Sequence, residues 1–137
     1  MVLTDELVDA LCKVAKDKSE KVGVNISFAI CDASGLPKAF RRYGEALVLS
    51  TTLVPGKAYT AAITQCKTKD VAAASAEGAP LMAIQTNDPR ITLVAGGYPL
   101  FIKGKIVGGL GVGGGTEEQD CAIAEYVVSA FEEFTTK

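Results

Sequence analysis

Between Lys105 and Asp120 the chain reads KIVGGLGVGGGTEEQD. A strand-like apolar run there loses its side chains to glycine and then meets an acidic helix start. No other stretch restricts the fold so tightly. Glycines on one strand belong where a helix or a neighbouring backbone comes close, because they leave no side chain in the way. Gly113 to Gly115 can also take positive φ and turn the chain into the next helix.

Gly109, Gly111 and Gly114 satisfy G-x-G-x-x-G, the pattern of a dinucleotide-binding loop. That motif needs a preceding strand, a following helix and then a second parallel strand carrying an acid for the ribose. Here the sequence ends on the helix, and the preceding strand belongs to a hairpin. A phosphate would also meet Glu117, Glu118 and Asp120, which already complement the helix dipole and repel an anion. The glycines therefore read as a tight strand-to-helix junction beside a cleft.

The rest of the order follows from spacing. Thr4 is an N-cap with Asp5 and Glu6 behind it, residues 5–21 form an amphipathic helix, and Gly23 ends it. Val24, Ile26, Phe28 and Ile30 alternate with Asn25, Ser27, Ala29 and Cys31 as a strand. DASGLP is turn chemistry, and KAFRRY completes a hairpin. The next helix is expected from near Thr52 through KAYTAAITQC, because Pro55 is tolerated only near a helix start. Two short helical pieces are expected in residues 68–86, a strand at 91–95 (ITLVA), and a last hairpin turning at Gly104. Thr116 and Gln119 make a capping box for the final helix, whose apolar stripe runs from Ala122 to Phe134. Hairpin links make the sheet antiparallel, so the expected class is α+β. A length of 137 residues leads to one domain over residues 1–137.

Composition narrows function by exclusion. There is no histidine, which removes the Ser-His-Asp triad, the Cys-His pair and the imidazole zinc site. The net charge is −2, with no block of like charges, so neither nucleic acid nor a membrane surface is expected as a partner. The N-terminus does not read as a signal peptide and no apolar run is long enough for a membrane span, so a cytoplasmic location is expected. Cys12, Cys31, Cys66 and Cys121 are scattered among apolar residues and read as buried free thiols, with no metal site. Hydrophobic residues reach 48%, enough to expect surface buried between copies of the chain.

Several segments read together, ICDASG, RRYGEA, GKAYTAA, NDPR and AGGYPLFIKGKIVGGLGVGGGTEEQD, resemble the GlcG/HbpS family in order and spacing. That family includes the C-terminal domain of PduO-type corrinoid adenosyltransferases, and the resemblance covers roughly residues 5–134. It implies a profilin-like α/β/α domain with a central antiparallel sheet of about five strands, assembled as a homo-oligomer, dimer or higher. It implies a tetrapyrrole, haem or corrinoid, as the leading ligand class, and a link to small-metabolite catabolism. The matching positions are Arg42, Glu45, Lys57, Thr60, Gly96, Gly97, Gly108, Gly111, Gly114, Glu118 and Asp120. Two positions depart. The haem-binding PduO-type domains use histidine at the iron, and Gly113 stands where the family often has serine.

Read singly, Lys57 follows Pro55-Gly56 at a helix start, where the dipole disfavours a cation, so an acidic partner or a ligand is expected. Arg42 on its strand invites a carboxylate, with Glu118 or Asp120 to supply it. Arg90 in NDPR reads as a surface turn residue. Tyr43, Tyr59 and Tyr98 read as core or interface residues that can also wall a flat ligand. Three functions follow as expectations. The first is a small-molecule-binding module with its pocket near a subunit boundary, at Arg42, Lys57, Thr60, Gly96, Gly97, Gly113, Gly114, Glu118 and Asp120. The second is an enzyme or accessory subunit acting on a small acid or aldehyde through Lys57 and Glu118 or Asp120. The third is a structural oligomer.

Overall fold

Thr4 opens the first helix as its spacing predicts: its hydroxyl accepts from the Leu7 amide in the computed structural model, which describes residues 3–136. Helix α1 spans Asp5–Val22 and ends at Gly23 (φ 86°), whose N–H donates to the Ser19 carbonyl. Strands β1 (Ser27–Asp32) and β2 (Pro37–Arg42) form the first hairpin. Its turn is held by Asp32, whose Oδ1 accepts the amides of Ser34 and Leu36 at 2.9 and 3.0 Å. Then come α2 (Ser50–Thr64), α3 (Thr68–Ala74), a single 3-10 turn (Ile84–Thr86), β3 (Gly97–Ile102), β4 (Lys105–Gly113) and α4 (Glu117–Thr135). The strands are all antiparallel in the order β2-β1-β4-β3. Pro37 and Pro99 fall on the two edge strands, where a missing backbone donor costs least.

The α+β class and three-layer arrangement match the expectation, but the sheet has four strands rather than five. Residues 91–95 do not pair with it. Their backbone bonds go elsewhere: the Ile91 amide donates to the Asp88 carbonyl at 3.0 Å, and the Thr92 amide to Thr60 Oγ1 at 2.7 Å. Helix α2 begins at Ser50, not Thr52, and stops at Thr64 because Gln65 turns left-handed (φ 58°). Two of the four thiols also differ from expectation. Cys12 and Cys31 are buried, but Cys66 is exposed just past the end of α2 and Cys121 is half-buried.

The alternation in β1 separates two cores rather than core from solvent. Phe28 and Ile30, with Leu110, Val112 and Leu100, pack against Leu11 and Ala15 of α1 and Ile123, Val127 and Phe131 of α4. These large side chains supply most of the hydrophobic stabilisation, about 1.5–3 kcal/mol for each one fully buried. The opposite face is almost bare. Ala29 and Cys31 meet Val54, Ala58 and Ala62, one i, i+4 stripe of α2. Beside them, Ala29 is paired with Gly111, which is paired in turn with Gly97; Cys31 is paired with Gly109.

That bare face is the purpose of the glycines. A Cβ on Gly109 would lie 2.4 Å from the Ala58 carbonyl oxygen, and one on Gly111 2.5 Å from that of Val54. On Gly97 it would lie 2.5 Å from the Lys57 carbonyl oxygen. Helix α2 thus rests on the sheet backbone to backbone. At the end of β4, Gly114 (φ 126°) turns the chain into the Thr116 capping box, with both of its bonds formed.

Gly111→Ala should therefore lower stability by about 2 kcal/mol or more, since the added methyl meets helix backbone that cannot rotate away. Urea unfolding followed by circular dichroism measures it. A loss below about 0.5 kcal/mol would mean that α2 does not lie as close as described.

Candidate functional site

Several of the residues singled out in sequence do come together, as a buried polar knot. Lys57 is 2% exposed and Asp120 5%. The Lys57 ammonium donates to the Val112 carbonyl at 2.8 Å and lies 3.7 Å from Asp120 Oδ2. Asp120 Oδ1 accepts the Gly115 amide at 2.9 Å, so the acid of the helix start occupies a donor that a phosphate would need. Gly96 (φ 120°) and Gly113 leave room for the lysine: Cβ atoms there would stand 2.9 and 3.3 Å from its Nζ. Thr60 is buried behind them and accepts the Thr92 amide.

Two residues lie apart from the knot. Arg42 does not meet Glu118 or Asp120. Its Nε donates to the Ala46 carbonyl at 2.9 Å, and its guanidinium lies 3.6 Å from Glu45, three residues further along the chain. Glu118 is exposed in the first turn of α4. Tyr43 and Tyr98 are core residues, donating to the Cys12 carbonyl and to Glu125.

The open space is on the other flank of α2. Because that helix sits over β1 and β4, the ground beside the β1–β2 hairpin stays uncovered. A cavity of about 670 Å³ lies there. Ala29, Cys31, Leu36, Phe40, Ala58 and Tyr59 are among its walls, and Pro89, Arg90 and Thr92 close one side. Cys31 donates its thiol to the Ala58 carbonyl, and burial pushes that thiol up to about 11, so it stays protonated near neutrality. Tyr59 donates its hydroxyl to Asp88 Oδ2. Asp88 in turn accepts the Arg90 amide at 3.0 Å, and the Arg90 guanidinium stands 4.1 Å over the Tyr59 ring.

Sequence reasoning named Tyr59 as a residue able to wall a flat ligand, but it left Arg90 as a surface turn residue and missed the group these two form with Asp88. Its signals were small: a tyrosine among alanines in GKAYTAA, and an Asp-Pro-Arg turn in which the aspartate can bond the amide two residues on. Nothing local says that α2 brings the two together.

The chain matches the family model described as haem-degrading protein HbpS-like over residues 3–129, and it belongs to that family. It is 34% identical over 124 residues to an uncharacterized 15.0 kDa protein from the dhaT-dhaS intergenic region of Citrobacter freundii, covering 90% of this chain and 87% of that one. It is 33% identical over 131 residues to the corrinoid adenosyltransferase PduO of the same organism, covering 95% of this chain but only 39% of PduO. Among solved structures, the PduOC–haem complex matches with a TM-score of 0.90 and 30% identity over 95% of each chain.

A haem-like group can be tested against these walls. An apolar cavity of several hundred Å³ with a few polar groups suits a flat, drug-sized molecule. The metal is another matter. There is no imidazole, the Cys31 thiol is protonated and bonded, and the Tyr59 hydroxyl is held by Asp88. The walls fit the macrocycle better than its iron.

The buried pair makes its own prediction. Burial pushes the Asp120 carboxyl above its usual range and the Lys57 ammonium below its usual range, in each case against the pull of the partner. Asp120 then holds its proton more tightly folded than unfolded. Its contribution is full below about pH 4 and is lost as pH rises through the raised folded value. Lys57 contributes fully only above about pH 10.4 and loses that contribution as pH falls through its lowered folded value. The stability of the wild type, less that of Lys57→Met/Asp120→Leu, should therefore show a trough around neutrality. Urea unfolding across pH measures it. A maximum there would mean that attraction outweighs desolvation.

Proposed function

We propose that this chain is a small-molecule-binding module whose ligand is a flat, largely apolar molecule of the tetrapyrrole type, haem or corrinoid. The observation that carries the reading is the 670 Å³ cavity between α2 and the β1–β2 hairpin. The likeness to a domain solved in complex with haem supports the ligand class. Behind the cavity, Lys57, Gly96, Gly97, Gly113 and Asp120 seat α2 on the sheet and hence fix one wall, Thr60 holds the Thr92 amide, and Gly114 turns β4 into α4. Burial of Lys57 and Asp120 disfavours the enzymatic alternative, since a substrate could not reach either group without opening the core.

Self-association is the second part of the reading. Leu47, Val48 and Leu49 are 57–70% exposed in succession, directly before the Thr51–Leu53 wall of the cavity, and Leu36 and Phe40 add apolar surface at its rim. A run of this kind on a small domain marks an interface. The cavity would then lie near a boundary between copies. Among the described residues no helix is long and apolar enough to cross a membrane, and free thiols suit a reducing cytosol.

Haemin titration followed by absorbance tests the ligand. The wild type should saturate near one equivalent, and Thr52→Trp, which adds bulk to the exposed α2 wall of the cavity, should weaken binding at least about tenfold with an unchanged circular dichroism spectrum. Equal binding by both would move the site elsewhere, and control-like binding by the wild type would remove haem from the reading. Light scattering tests the assembly: Val48→Asp should lower the mass relative to the wild type, and a wild type already monomeric would sink the interface.

A further inference from the structure

The cavity is apolar, yet one side is closed by a charge. Among the described residues that line it, Arg90 carries the one charged side chain. Its position is held from three directions. The backbone amide is fixed on Asp88 Oδ1 at 3.0 Å, Nε and Nη2 lie 3.3 and 3.4 Å from the same carboxylate, and the guanidinium stacks 4.1 Å over Tyr59. Tyr59 is itself fixed. Its hydroxyl is taken by Asp88, and Gly35 of the hairpin turn presses so close that a Cβ there would lie 2.6 Å from the ring. A planar cation is therefore presented on a fixed platform at the edge of an apolar space.

We propose that Arg90 is the carboxylate-recognising residue of this cavity, and that the ligand is a flat apolar molecule bearing at least one carboxylate held there rather than through an axial metal bond. The inference rests on the ligand-binding reading above and deepens it. Asp88 holds the guanidinium only by long contacts, its shorter bonds going to the Tyr59 hydroxyl and the Arg90 amide. Arginine carries five N–H donors in a rigid fork matched to a carboxylate. Asp88 engages two of the side-chain nitrogens, so the outer edge of the fork is presented to a second anion. With its side chain 69% exposed, the cation loses little hydration on meeting an anion, while the apolar walls beside it strengthen the attraction. The lack of a ready iron ligand among the walls points the same way: affinity has to come from the organic part of the ligand and its acid groups.

The probes are metal-free protoporphyrin IX, a dicarboxylate, and its uncharged bis-amide, each titrated by fluorescence against wild type, Arg90→Ala and Arg90→Lys. The dicarboxylate should bind the wild type, and Arg90→Ala should weaken it about tenfold or more, the scale of a charge-assisted contact. The bis-amide should bind the wild type about as weakly as the dicarboxylate binds Arg90→Ala, with no further loss on removing Arg90. Arg90→Lys should recover part of the affinity for the dicarboxylate and none for the bis-amide. Equal weakening of both probes by Arg90→Ala, or none of either, would overturn the proposal while leaving the cavity as a porphyrin site. Failure of both probes to saturate the wild type would overturn the ligand reading itself.

Discussion

The backbone-to-backbone seating of α2 on the sheet is the constraint on which the rest of this structure depends. Gly109, Gly111 and Gly97 let the carbonyls of Ala58, Val54 and Lys57 descend to where a Cβ would otherwise stand. The helix can then bring Lys57 under itself, into a space that Gly96 and Gly113 leave open, to reach the Val112 carbonyl and Asp120. One side chain so links α2, β4 and α4. Ordinary hydrophobic packing governs the opposite face, where Phe28, Ile30, Leu110 and Val112 meet α1 and α4. The two faces divide the work: large side chains drive burial, and the bare face sets position.

The buried pair illustrates a cost of that arrangement. Desolvation opposes both charges more than their mutual attraction favours them. A lysine threaded beneath a helix is better understood as a device of register than as a source of stability, because its ammonium finds acceptors only when α2, β4 and α4 are in one alignment. It also explains why the residues most visible in the sequence are not on the wall of the open space.

The cavity is a consequence of where α2 sits. A helix seated over β4, with β1 and β3 to either side, leaves β2 and its hairpin partly uncovered, and the Pro89-Arg90 turn together with Thr92 closes the open side. The Thr92 amide goes to Thr60 of α2 rather than to a sheet neighbour. The apolar character of the walls and the absence of histidine direct attention to the organic frame of a ligand and its acid groups rather than to its metal.

Local patterns carried much of the fold in advance. Thr4 and Thr116 as caps, Gly23 as a stop, the DASG turn, the Gly104 hairpin and the two-residue period of β1 are written within a few neighbours of each other, and each formed. The glycine junction could be read as a place of close approach for the same reason. What lay over the glycines could not, since the match between Gly109 and Ala58 or Gly111 and Val54 joins residues some fifty positions apart. The fate of residues 91–95 was likewise undecided locally: ITLVA has the pattern of a strand, yet the Ile91 and Thr92 amides go to the Asp88 carbonyl and Thr60 Oγ1 rather than to a sheet neighbour. Arg42 found its acid within three residues, at Glu45, before any distant carboxylate could compete. Composition by itself removed imidazole chemistry, and spacing by itself named the class of fold. The tertiary structure alone decided which charged residues are buried frame and which face open space, because burial depends on what distant elements bring to the same point.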